Sequence, residues 1–153
     1  MPSLKKNLDG LKLLGQALAR LRGPRVQVGI FGNKNSRDDA VTNSEVGAAN
    51  EFGVKSKGIP PRSFLRMPLT YKRDNLMKTA AFDAERLLGT GQSGKWLKRV
   101  GIAAENIVHS AFRSSGFGSW KPNSAVTIAL KGSDKPLIDT RQLERAIASR
   151  VTS

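Results

Sequence analysis

Leu4, Leu8, Leu11, Leu14, Leu18 and Leu21 recur at the i, i+3, i+4, i+7 spacing of one helix face, with Lys5, Lys12, Arg20 and Arg22 mainly off it. The spacing predicts an N-terminal amphipathic helix over residues 1–22. Gly10 and Gly15 each weaken it by about 1 kcal/mol relative to alanine, so it depends on packing within or between subunits. Gly23-Pro24 ends it. The period then falls to two, and Val26, Val28 and Ile30 alternate as on a half-buried strand. Residues 32–43 are polar and aperiodic and predict an exposed loop. Asn43 or Ser44 can cap a short helix through Val46, Ala49 and Phe52, stopped by Gly53, and a second exposed loop covers 53–61.

Pro60-Pro61 fixes φ and holds the preceding residue extended, so the chain arrives at Ser63 as a stiff strut. Ser63 can cap the next helix, with Phe64 and Leu65 as apolar anchors. Pro68 suits the first turn of a long helix. Leu69, Leu76, Ala80, Ala84 and Leu87 share one face of it, with Met77 and Leu88 beside them. Gly89-Thr90-Gly91 breaks the pattern. A second helix, with Ser93 as its expected cap, repeats Trp96, Val100, Ala103, Ile107 and Ala111 to Phe112. Two long helices across a short glycine turn predict an antiparallel hairpin. Ser114–Ser119 reads as flexible. Ser124–Leu130 has a capped start and a glycine stop, yet its β-branched alternation leans to strand. Asp139-Thr140 can cap a last helix carrying Leu143, Ala146 and Ile147, and Ser149-Arg150-Val151 reads as a short closing strand.

At 153 residues the chain predicts a single domain, 1–153. With 39% apolar and 6% aromatic residues the core is modest, so stability is expected to be shared with neighbouring subunits. A net charge of +14 favours an acidic counterpart: nucleic acid, an anionic surface or an acidic subunit. Without cysteine there are no disulfides or thiolate metal sites, which fits a reducing compartment. No apolar run approaches the ~20 residues that span a bilayer, and the interrupted N-terminal leucines do not make a signal peptide, so no membrane role is expected.

Reaction chemistry is hard to place. His109 is the single histidine, and Glu105 four residues before it is a helix neighbour rather than a ligand set. Asp38-Asp39 and the pair Asp83 and Glu85 lack the geometry of acid–base partners, and solvated charge accounts for them. Gly89–Lys95 spells GTGQSGK, with four residues between Gly89 and Gly94 as in a phosphate-binding loop. Trp96 stands where the magnesium-binding hydroxyl would be, and a helix precedes it rather than a strand. No catalytic residue, metal or cofactor is expected. Basic residues gather at Lys55, Lys57, Arg62, Arg66, Lys72 and Arg73, and again at Lys95, Lys98 and Arg99. Phosphate contacts there would make binding salt-dependent, although no DNA-reading motif accompanies them.

The order of motifs resembles a known family. A Val-x-Val-Gly-Ile strand, Asn-Glu-Phe-Gly at 50–53 and Ile-Pro-Pro-Arg-Ser-Phe-Leu-Arg at 59–66 precede the helix pair. Trp-x-Pro-Asn-Ser-x-x-Thr from Trp120, Lys-Gly-Ser-Asp-Lys-Pro-Leu-Ile-Asp-Thr from Lys131 and a Gln-Leu close the chain. From about Arg25 onward this is similar to the neck and tail-completion (virion morphogenesis) proteins of tailed bacteriophages. Arg141 departs from the pattern, which commonly has glycine after Asp-Thr. The resemblance implies a structural α+β subunit, with a small antiparallel sheet packed with the long helical hairpin and the N-terminal amphipathic helix. It also turns Ser124–Leu130 toward a short capped helix. It implies a virion protein of the neck or tail, made in the host cytoplasm, that forms a ring-like homo-oligomer beside other neck or tail proteins and around packaged DNA. On that view Phe52, Ile59, Pro60, Pro61, Phe64 and Leu65 anchor a subunit contact, and Arg62 and Arg66 pair with carboxylates on a neighbour. The alternative, that Phe64 and Leu65 fill the chain's own core, stands beside it. Lys55, Lys57, Lys72, Arg73, Lys95, Lys98 and Arg99 are the expected contacts to nucleic acid or an acidic partner. A basic DNA-binding accessory protein is the competing reading.

Overall fold

β1 (Arg25–Ile30) and β2 (Ile147–Thr152) pair antiparallel from Arg25 opposite Thr152 to Ile30 opposite Ile147. The computed structural model describes residues 23–37 and 40–152, with backbone alone at residues 83, 85, 86, 88 and 89. The expected N-terminal helix, Asp38-Asp39 and the side chains of Asp83, Glu85 and Leu88 lie outside the described residues. Between the strands come six helices, and the fold is α+β with a two-stranded sheet. The closing strand runs longer than its expected Ser149–Val151, because it begins at Ile147 rather than after a longer helix.

α1 (Asn43–Phe52) is capped by Thr42, one residue before the first of the expected caps. Thr42 Oγ1 accepts the N–H of Glu45, and Glu45 Oε2 accepts the N–H of Thr42, a reciprocal capping box. Asn43 is inside the helix and buried, donating its amide to the carbonyls of Lys34 and Ser36 and accepting from Arg37. The expected loop 32–43 is therefore shorter: it opens with a tight turn at Gly32–Lys34 and is tied down at its end. Beyond α1, residues 53–61 form a small tongue rather than an open loop. Val54 and Ile59 bridge antiparallel around a turn at Lys55–Lys57, with Gly58 left-handed.

The expected long helix divides into α2 (Arg66–Tyr71) and α3 (Arg73–Gly89) at Lys72, which sits at φ −101°, ψ 18°. No glycine or proline marks this bend. The Lys72 ammonium lies 4.9 Å from the Tyr71 ring centre and 5.1 Å from that of Phe117, a contact between distant segments. α4 (Ser93–Arg113) completes the hairpin, and the Trp96 indole donates to the Ala80 carbonyl across it at 2.8 Å. Gln92, not Ser93, occupies the position before α4. The buried stripe of α4 is Leu97, Gly101, Ala104, Val108, Ala111 and Phe112. It lies one residue along from the expected Trp96–Ala111 series, because both series keep helical spacing and only the second meets the sheet. At Gly101 an added Cβ would stand 3.0 Å from Ser149 Oγ, so the helix crosses β2 at backbone distance. Glu105 takes the Ser149 N–H at 2.8 Å, occupying a donor that a two-stranded ladder leaves over.

Ser114–Ser119, expected to be flexible, is an ordered left-handed turn. Ser115, Gly116, Phe117 and Gly118 all have positive φ, between 49° and 79°. It folds Trp120 back over Gly116 and the end of α4. Phe112 is stacked between two rings, 5.4 Å from Phe64 and 5.8 Å, edge-on, from Trp120. Val108, Ala111, Leu143 and Ile147 complete this core. α5 (Ala125–Lys131) is a helix with Ser124 Oγ accepting the Thr127 N–H and Gly132 closing it left-handed, against the strand propensity of its residues. It buries none of its own residues. α6 (Gln142–Ala146) follows Arg141 rather than an Asp139 or Thr140 cap. Arg141 sits at φ 60°, ψ 15°, a region that favours glycine.

Candidate functional site

Glu51 organises the region where α1, the tongue and α2 meet. It is 6% exposed, and its carboxylate accepts from Ser63 Oγ at 2.6 Å, Phe64 N at 2.8 Å, Leu65 N at 3.0 Å and Arg66 N at 3.2 Å. The Leu65 and Arg66 N–H groups are orphan donors at the start of α2, where the helix dipole also favours an anion. Ser63 Oγ in turn accepts the N–H of Met67. Gly53, at φ 74°, lets the chain leave α1 flat against the prolines: a Cβ there would stand 2.8 Å from Pro61 N.

Arg62 holds the opposite side. It is 8% exposed, and it donates to the carbonyls of Lys121 at 2.8 Å and Pro122 at 3.0 Å and to Asn123 Oδ1 at 3.2 Å. Burial lowers its pKa, and its charge is met by these neutral oxygens. Trp120 Nε1 donates to the Ser63 carbonyl, and the Asn123 amide reaches the carbonyls of Asp134 and Lys135. Four distant stretches thus close into one clasp.

The expected interface residues separate accordingly. Phe64 fills the chain's own core, and Leu65 packs half-buried against it. Arg62 is engaged inside its own chain, on neutral oxygens of residues 121–123. Pro60 and Ile59 are half-buried. Phe52 at 68%, Pro61 and Arg66 remain exposed, with the Arg66 guanidinium 5.6 Å from the Phe52 ring centre and 3.9 Å from Glu51. The basic residues sit on three different elements. Lys55 and Lys57 tip the tongue, Lys72 and Arg73 lie at the α2–α3 bend, and Lys95, Lys98 and Arg99 occupy the first turns of α4.

Between the tongue and α5 runs a cleft of about 810 Å³. Arg37, Lys57, Arg62, Lys121, Lys131 and Arg141 line it against one described carboxylate, Asp139. Within Gly89–Lys95, residues 90–92 form the hairpin turn, while Gly89 ends α3 and Ser93–Lys95 open α4. His109 stands 3.7 Å from a Glu105 oxygen and 3.9 Å from a Glu144 oxygen, at the edge of ion-pair range. No group of three ligand-type side chains is placed to hold a metal among the described residues, and no described helix is long and apolar enough to cross a membrane.

Glu51, Trp120 and Asn123 stand inside motifs legible in the sequence, which assigns them no role. A signal for Glu51 exists: a carboxylate in the last turn of α1 is disfavoured by that helix's own dipole, so it has to answer another helix. No family model, curated protein or solved structure matches this chain.

Proposed function

We propose that this chain is a structural protein of a tailed-phage virion, a ring-forming subunit at the head–tail junction or the top of the tail. The observation that carries this reading is the convergence of the motifs behind the resemblance. Asn50–Gly53 and Ile59–Arg66 precede the helical hairpin, Trp120–Ser124 and Lys131–Lys135 follow it, and the two pairs of segments are bonded together in the clasp. The clasp is a structural device, and the reading assigns it no reaction and no cofactor. A ring is built from heterologous contacts that close by rotation, and each copy must then present rigid, exposed anchors. Phe52 and Arg66 have that character, held beside the tongue by Glu51.

Imaging of particles assembled without the protein tests the proposal. Filled heads lacking joined tails are expected; intact, infectious particles free of the chain would overturn it. At residue level, Phe52→Ser combined with Arg66→Glu should block assembly while leaving the subunit folded. Arg62→Glu is unsuited to that test, since it breaks the clasp. Tight duplex binding by the isolated monomer near physiological salt would instead favour the DNA-binding accessory reading.

A further inference from the structure

The cleft between the tongue and α5 has a charge pattern that the clasp does not use. Three of its cations already have partners: Arg62 on carbonyls, Arg141 on Glu144 at 3.3 Å, and Arg37 on Asn43. Lys57, Lys121 and Lys131 have no carboxylate partner among the described residues, and they come from three separate elements. Ile59, Pro60, Pro122 and Leu137 give the cleft an apolar lining between them. Lys57 and Lys121 are exposed and Lys131 is half-buried, so all three can meet an incoming opposite charge over this concave, partly apolar surface.

We propose that this cleft binds an acidic polypeptide segment from another protein, with carboxylates meeting Lys57, Lys121 and Lys131 and an apolar side chain seated against Ile59 and Leu137. Charge complementarity selects the occupant. The chain's own residues 1–22 carry Lys5, Lys6, Lys12, Arg20 and Arg22 against Asp9, so they would be repelled. Single-stranded nucleic acid needs aromatic faces on which bases stack, and no aromatic residue lines the cleft among the described residues. The inference does not depend on the phage reading, and its failure would leave that reading intact.

The test uses the full chain and a fluorescein-labelled peptide of mixed glutamate and leucine, titrated at about 0.15 M salt, where distant charge is screened. Lys57→Glu, Lys121→Glu and Lys131→Glu are combined in one variant, and Arg25→Glu, Lys78→Glu and Arg113→Glu, at exposed residues outside the cleft lining, in a second with the same change in net charge. Circular dichroism of both variants verifies folding. Saturable binding is expected, weakened tenfold or more by the first variant and less than twofold by the second. Three results would each overturn the proposal: no saturable binding, equal weakening by both variants, or tighter binding of an oligothymidine than of the peptide.

Discussion

The two ends of α4 belong to different kinds of structure. Its C-terminal half runs through the core, where Val108, Ala111 and Phe112 are closed in by Phe64, Trp120, Leu143 and Ile147. Its first turns carry Lys95, Lys98 and Arg99, with α3 packed alongside and Phe82, on α3, 84% exposed. Around the first end, the buried polar side chains of Glu51, Arg62 and Asn123 each have designated partners. At the second, a large apolar ring is left uncovered. The clasp end therefore specifies the fold, while the hairpin and the Phe52 surface are available for contact with other molecules. Substitutions at the two ends should report on different properties.

Glu51→Ala is the sharpest way to break that distinction. It strands the N–H groups of Phe64 and Leu65 and the Ser63 hydroxyl, and at roughly 1–3 kcal/mol per unsatisfied buried group the loss should reach about 4 kcal/mol in urea unfolding. Gly116→Ala comes next, at about 3 kcal/mol, because its Cβ would stand 2.4 Å from the Trp120 ring at a left-handed position. A thermal melt reads it directly, and an unchanged midpoint would mean that the turn is not part of the clasp. At the other end, Phe82→Ser should alter unfolding by less than about 0.5 kcal/mol while lowering self-association measured by sedimentation.

The smallest effect concerns Glu45, whose carboxyl is held below the usual range chiefly by the Thr42 backbone N–H and then by the Thr42 hydroxyl. A depressed carboxylate contributes stability above its unfolded pKa and loses it as pH falls through the folded value. Glu45→Gln should therefore melt slightly below the parent protein at neutral pH, with the gap closing in acid. A gap that stays constant with pH would remove the capping box as its cause.

Period and punctuation make most of the elements readable. Alternation at Val26–Ile30, the glycine turn of the hairpin and the prolines before Ser63 each reflect local backbone chemistry, which a single stretch of sequence contains. Long-range chemistry is less visible. The stripe on α4 reads one residue off because two series share helical spacing, and only contact with Ser149 selects Gly101 over its neighbours. Lys72 sits at a bend beside two rings, and one of them, Phe117, comes from the far side of the hairpin. For the same reason, Arg62 reads as an exposed cation although its acceptors, Lys121 and Pro122, lie beyond α4. The tongue's lysines stand out by charge, yet the cleft they form with Lys121 and Lys131 exists only once α5 is placed.

The register of the sheet brings the ends of the described body together. Because Arg25 faces Thr152, the first and last strands start and finish side by side, a few ångströms apart. With residues 1–22 removed, a short flexible linker could join them, and the chain could be reopened at the tongue tip near Lys57-Gly58, where the residues are exposed. Such a circular permutant would retain every clasp bond while freeing the tongue, separating what that projection does from what holds the subunit together.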